Sequence, residues 1–249
     1  MVWWRRPQPI ALHDEVGDSA AREFSFGECL AGLSGLWGTL DVAWMNDPSR
    51  DEEANRKPYQ LRAARRVGLT IPRTLITSDP AAAERFVREQ GVSNVIYKAF
   101  TATERAWRET RRMREGELDL LRSVRFAPVI FQSLVEAELD VRVTVVGEKI
   151  FATAVRIARG DYRYDYRVGL HDAVVEAHSL PPPVVEKIRR LMDRLGLVYG
   201  ALDFRRTARG DYVFLEVNPS GQWLFMEDRS AQPITEAVVD WLVAHDAAG

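Results

Sequence analysis

The sequence predicts an α+β protein built from more than one lobe. Strands alternate with amphipathic helices in the first half, while strands joined by tight turns dominate the second. At 249 residues, 46% of them hydrophobic, the chain can bury a sizeable core.

Taken in order, "VWWRR" (2–6) reads as a short strand. A helix over 20–37 carries Phe24, Leu30, Leu33 and Trp37 near one face. "LDVAWM" (40–45) reads as a strand ending in an Asn-Asp-Pro turn. Pro58 suits the first turn of a helix over 58–67, and Gly68 suits its C-terminal cap. "TIPRTLIT" (70–77) is extended, and Asp79-Pro80 opens a helix over 80–90 that Gly91 closes. A strand is expected at 94–100 and a strongly charged helix at 103–122. Strands follow at 128–135, 139–147 and 149–157, the last two joined by a tight Gly147-Glu148 turn. A polar loop (158–172) precedes a helix over 183–195 capped by Gly196. Strands 198–204 and 212–218 form a hairpin across Arg209-Gly210, and a helix over 232–244 follows.

The totals exclude several classes. A net charge of -2 gives no reason to expect nucleic acid or an anionic membrane as partner. The single Cys29 rules out an intrachain disulfide or a cysteine-rich zinc site and fits a reducing cytoplasm. The start "MVWWRRPQPI" has no long apolar core and is not read as a signal peptide. Of 34 basic residues only Lys57, Lys98, Lys149 and Lys187 are lysines, so each place where an ammonium replaces a guanidinium matters.

The strand "YVFLEVN" (212–218) ends in a carboxylate and an amide. Simple alternation puts Val213, Leu215 and Val217 on one face and Tyr212, Phe214, Glu216 and Asn218 on the other. The hairpin can bring Asp203 alongside Glu216. Two carboxylates and an amide oxygen make a hard-oxygen set suited to Mg2+. A solvated strand end followed by an Asn-Pro turn is the competing explanation.

Taken together, "NRKPYQLRAARRVGLTIPRTLIT", "VIYKAF", "VIFQSLV", "LDVRVTVVG", "GALDF" and "FLEVNPSGQW" resemble the ATP-grasp superfamily over about residues 40 to 245. Within it the chain is most similar to the microviridin-type (graspetide) ligases that join side chains of ribosomal peptides. The resemblance implies an ATP-grasp fold whose lobes clasp ATP. Residues 1–50 would be a shortened N-terminal segment, 51–128 the middle lobe and 129–249 the C-terminal lobe with the metal site. The exposed edge at "VWWRR" favours self-association into a homodimer.

The resemblance also implies roles. Asp203, Glu216 and Asn218 would hold Mg2+, two ions in the family, between ATP phosphates that Lys57 and Lys98 contact. Gln132, Ser133, Leu134 and Val135 would pair with adenine through their backbone. Asp140 would sit near the ribose, although Glu136 and Glu138 lie close enough to compete. Arg142 and Arg156, on adjacent strands, could enter one cleft and bind the moving phosphoryl group and the acceptor carboxylate, or be surface charges. Asp165 and Arg167 match the family's Asp-x-Arg pattern, which Asp161 and Arg163 repeat four residues earlier. The helix over 103–122, with Trp107 and interleaved Arg and Glu, is either a solvated face or a guide for an acidic peptide.

The expected activity is ATP-dependent ligation. Asp or Glu side chains of a precursor peptide become acylphosphates and are joined to Ser/Thr hydroxyls or a Lys amine. The alternatives are a ligase for amino acids or small metabolites, and a degenerate nucleotide-binding partner protein.

Overall fold

A computed structural model of the chain describes residues 1–100, 110–157 and 173–246. Its elements are β1 (Val2–Trp3), α1 (Ser19–Gly38), β2 (Trp44–Met45), α2 (Pro48–Asn55), α3 (Lys57–Arg66), β3 (Thr74–Thr77), α4 (Pro80–Gln90), β4 (Val95–Lys98), β5 (Arg111–Arg112), β6 (Val129–Ser133), β7 (Leu139–Val146), β8 (Lys149–Ile157), β9 (Ala173–His178), α5 (Pro182–Leu195), β10 (Tyr199–Arg206), β11 (Tyr212–Asn218), α6 (Leu224–Ser230) and α7 (Ile234–Asp246).

Among the described residues the larger sheet has five antiparallel strands in the order β11-β10-β7-β8-β9. One face packs on α3 and α5. There Leu139, Val141, Val143, Val145, Leu202, Phe204, Phe214 and Val217 meet Leu61, Ala64, Ile188, Leu191 and Leu195. The α5 residues recur at helical spacing, and each fully buried large side chain contributes about 1.5–3 kcal/mol. Gly196 ends α5 in the left-handed region at φ 66, where a side chain would be strained. The sheet coils until its two edges meet, with His178 of β9 and the Tyr212 hydroxyl of β11 hydrogen-bonded at 2.6 Å.

The smaller sheet runs β3-β6-β4-β5. Val95, Phe131 and Met113 pack with Ala83, Phe86 and Val87 of α4 and with Leu121 and Val124. β6, assigned from the sequence to the 129–249 segment, pairs with β3 and β4, so this sheet spans the expected boundary. β1 and β2 form a separate parallel pair beside α1, a helix with no buried residue.

Most expected elements form near their expected bounds, but several differ. The Asn-Asp-Pro turn is the start of an unexpected helix. Asp47 caps α2 by accepting from the N–H groups of Ser49 and Arg50, with Pro48 in the first turn. The expected charged helix is overturned in its described part. Arg111 and Arg112 pair with β4 as a strand, and 3₁₀ turns occupy Glu115–Phe126. Met113 and Leu121 are buried, so packing overrides the helix-like charge spacing there. Residues 101–109, including Glu104, Arg105, Trp107, Arg108 and Glu109, lie outside the described residues, as does the loop 158–172. β9 and α6 were not anticipated.

Simple alternation fails on β11. Asp203 pairs with Glu216 but Phe204 pairs with Phe214, leaving Leu215 as an extra residue. Phe214 and Val217 therefore share the core face, and Glu216 and Asn218 face the opposite way, with Asp203.

α3 is fastened to the edge of β11 by one fully buried side chain. Gln60 Nε2 donates to the Val217 carbonyl at 2.8 Å, and its Oε1 accepts from the Val217 N–H at 3.2 Å. Replacing Gln60 with Leu strands both groups of Val217. We expect a loss of about 1–3 kcal/mol in urea unfolding for each group left unpaired. At the opposite corner, burial followed by Arg206 and Arg156 holds His178 below its ordinary 6.5. The unfolded chain therefore takes the proton more readily. This contribution is complete above pH 6.5 and is lost as pH falls through the folded value. His178→Phe should flatten the acid side of a Tm-versus-pH curve.

Candidate active site

The face of the larger sheet opposite α3 and α5 carries Asp140 and Arg142 of β7, Asp203 and Arg205 of β10, and Glu216 and Asn218 of β11. Asp203 stands directly across from Glu216, and Ala201 across from Asn218. Adjacent carboxylates repel unless cations offset them. Here Lys57 Nζ lies 2.7 Å from Glu216 Oε2, and Arg142 Nη1 lies 2.9 Å from Asp203 Oδ1. The Arg142–Asp203 pair is 7% and 11% exposed, so little water screens it. Gln60, one turn along α3 from Lys57, sets where that ammonium falls.

The loop after β11 is held from several sides. Asn218 Oδ1 accepts from the Ser220 N–H at 3.0 Å, and the Ser220 hydroxyl donates to Asp51 at 3.0 Å. Burial raises the Asp51 carboxyl, against hydrogen bonds from Ser220 and Asn55. Asn46 is fully used: Nδ2 donates to the Tyr199 and Pro219 carbonyls, and Oδ1 accepts from the N–H groups of Val198 and Tyr199. Gly221 lies flat on the sheet. A Cβ there would stand 2.4 Å from Ala201 Cβ and 2.8 Å from Arg142 Nη2. Side-chain volume, not φ, explains this glycine.

Between the sheets, a cavity of about 450 Å3 is lined by Leu134, Val135, Glu136, Ala137, Glu138 and Arg205, among others. The N–H groups of Ser133 and Leu134 are already bound to the carbonyls of Arg73 and Asn94. Those two N–H groups are therefore not open to a ligand. Gln132 is fully buried, donates to Thr74, and among the described residues its Oε1 has no partner. Register puts it with Lys98, Ile96 and Ile130 on the smaller sheet's face away from α4.

Other expected residues fall differently. Asp140 is ion-paired with Arg205 at 3.1 Å. Arg142 and Arg156 do not converge. Arg142 pairs across from Thr153, so alternation sends Arg156 to the other face with Ala152 and Ala154. There Arg156 meets Glu176 at 3.4 Å and Glu138 at 3.9 Å. Asp165 and Arg167, like Asp161 and Arg163, lie outside the described residues. Sequence reasoning missed Asn46, Asp51, Gln60 and Arg205. Only Gln60 left a signal, three residues after Lys57 on the same helix face.

Residues 55–242 match the RimK-like ATP-grasp domain. The chain belongs to this ATP-grasp family. A comparison with curated proteins returns no match. Among solved structures, the macrocyclase MdnC from Microcystis aeruginosa MRC, bound with precursor peptide MdnA, superposes with a TM-score of 0.85 at 31% identity, covering 97% of this chain and 77% of that one. A Chryseobacterium gregarium RiPP-associated ATP-grasp ligase, in complex with ADP and a leader and core peptide, gives 0.83 at 26% identity over 99% and 76%. The ligase PsnB with minimal precursor, Mg and ADP gives 0.77 at 27% identity over 98% and 76%. The protein is an ATP-grasp ligase, and ATP and Mg2+ are its cofactors.

The donor chemistry fits that metal. Among the described residues no three His, Cys, Asp or Glu side chains cluster, but Asp203, Glu216 and Asn218 supply two carboxylates and an amide. Mg2+ binds through a few such oxygens and keeps waters and phosphate for the rest. Gly221→Ala should push the loop off Ala201 at a strain of about 1–3 kcal/mol. The expected readout is weaker ADP–Mg2+ binding by calorimetry with near-native far-UV circular dichroism.

Proposed function

We propose that this ligase activates carboxylate side chains of a ribosomal precursor peptide and joins them to hydroxyl or amine side chains. The observation that carries the reading is the opposed Asp203–Glu216 pair with Lys57 and Arg142 seated on it. Likeness over nearly the whole chain to peptide-bound ligases supports the peptide as substrate class.

The reaction needs charge neutralisation more than a protein nucleophile. A substrate carboxylate oxygen attacks the γ-phosphorus of ATP, ADP leaves, and an acylphosphate forms. A hydroxyl or amine then adds to the acyl carbon, loses its proton and displaces phosphate. Bound Mg2+ supplies positive charge against the phosphate oxygens. Asp203, Glu216 and Asn218 would hold it. Lys57 and Arg142, seated on those carboxylates, would then be placed to contact a phosphate oxygen and the transferring group. Lys98 adds a second ammonium from the smaller sheet. Gln132 Oε1 and the backbone at Val135 receive adenine.

Glu216→Ala and Asn218→Ala should abolish turnover while the chain still folds, read by near-native far-UV circular dichroism, because both sit at a strand end away from the core. Incubation of the protein with a candidate precursor, ATP and Mg2+ should remove one water per link, read by mass spectrometry, with matching phosphate release. Full activity in either variant would overturn the metal assignment, and an unchanged precursor mass with no phosphate release would overturn the ligase reading for that peptide.

A further inference from the structure

Two arginines at the edge of the site have no role in the assignments above. Arg5 Nη1 reaches the Gly221 carbonyl at 3.4 Å, and Arg6 Nε donates to the Ser220 carbonyl at 3.0 Å. Both end on the loop that follows Asn218. Arg6 lies in the left-handed region at φ 47, an uncommon conformation for a non-glycine residue. Arg5 is half-buried and stacked. Its guanidinium carbon stands 4.3 Å from the Trp223 ring centroid and 5.4 Å from that of Trp3. The rings fix the plane of the fork without neutralising it.

The loop these arginines touch is the one Arg142 touches from the other side, through Nη2 to the Gln222 carbonyl at 3.3 Å. Three guanidinium groups thus surround Ser220-Gly221-Gln222. Arg142 faces Asp203, but among the described residues neither Arg5 nor Arg6 has a carboxylate partner. The Gly221 carbonyl already accepts from the Tyr199 hydroxyl at 2.7 Å, so Arg5 holds a long, shared bond there. Most of its donors remain for a ligand.

We propose that Arg5 and Arg6 form a carboxylate-binding subsite beside the metal-binding strand end, which takes an acidic side chain of the peptide substrate. The assignment rests on the peptide-ligase reading and deepens it by naming what recognises the acid. A planar fork held on two indoles suits the two oxygens of an Asp or Glu side chain. Its contact with Gly221 sets that acid one loop away from Asn218, Asp203 and Arg142. Arg6 faces water and draws in the charge, and Arg5 orients it.

The test uses the full chain loaded with ADP and Mg2+. Calorimetry compares a blocked tetraglutamate peptide with its tetraglutamine counterpart, on the wild type and on an Arg5→Gln/Arg6→Gln double variant. Tetraglutamate should bind the wild type about tenfold or more tighter than the variant, as expected for losing charge-assisted bonds. Tetraglutamine should not distinguish the two proteins. In a second arm, phenylglyoxal labels arginines of the wild type without nucleotide, and tetraglutamate should protect Arg5 and Arg6. Equal binding by both proteins, no binding by the wild type, or unaltered labelling of Arg5 and Arg6 would overturn the subsite. Failure of the wild type to bind ADP counts against the ligase reading instead, and the labelling arm still decides the subsite.

Discussion

Two negative charges face each other across neighbouring strands, and much of the structure answers that problem. Asp203 and Glu216 are cross-strand partners, a position where like charges repel. The fold answers with one cation from a helix and one from a strand. Lys57 comes from α3 and Arg142 from β7, so each carboxylate has its own counter-charge from a separate element. Removing a partner from such a half-buried pair is far more disruptive than forming the pair is favourable. The arrangement is therefore best understood as a placement device: it keeps oxygens and cations together that a metal–phosphate ligand can rearrange between them.

Placement of Lys57 depends on a single amide. The edge of β11 would present open backbone groups, and Gln60 closes both groups of Val217 as another strand would. α3 is thereby locked in rotation as well as position, and Lys57, one turn earlier, is aimed at Glu216. The extra residue at Leu215 does related work within the strand. It lets Phe214 and Val217 both serve the core while Glu216 and Asn218 face the ligand side. Packing and chemistry share seven residues because the alternation is broken once.

The loop after β11 joins distant parts of the chain. Asp51 and Asn46 hold it from the α2 side, Tyr199 from the sheet, and Arg5 and Arg6 from the first strand. Gly221 permits this convergence by leaving room for Ala201 and Arg142. A loop fastened at so many points loses little further freedom when a ligand arrives, which favours binding.

Much of the secondary structure was legible in the sequence, because periodicity and punctuation are local. Pro80 to Gln90 shows its helix through Asp79, Pro80 and Gly91, and the hairpin across Gly210 shows itself through alternation on both sides. The oxygens proposed to hold the metal were legible as residue types, and the lone lysines stood out against an arginine-rich background. What the sequence could not decide was direction. Arg142 and Arg156 look equivalent on adjacent strands, yet register sends them to opposite faces. Arg111 and Arg112 carry helical charge spacing, yet packing of Met113 makes them a strand. Asn46 bonds to Tyr199 and Pro219, more than a hundred residues away, and nothing near it announces that. The sequence by itself determined which groups were available for phosphate and metal chemistry. Only the tertiary structure decided which of them meet, because register, a one-residue bulge and the burial of a single glutamine are settled by contacts between segments far apart in the chain.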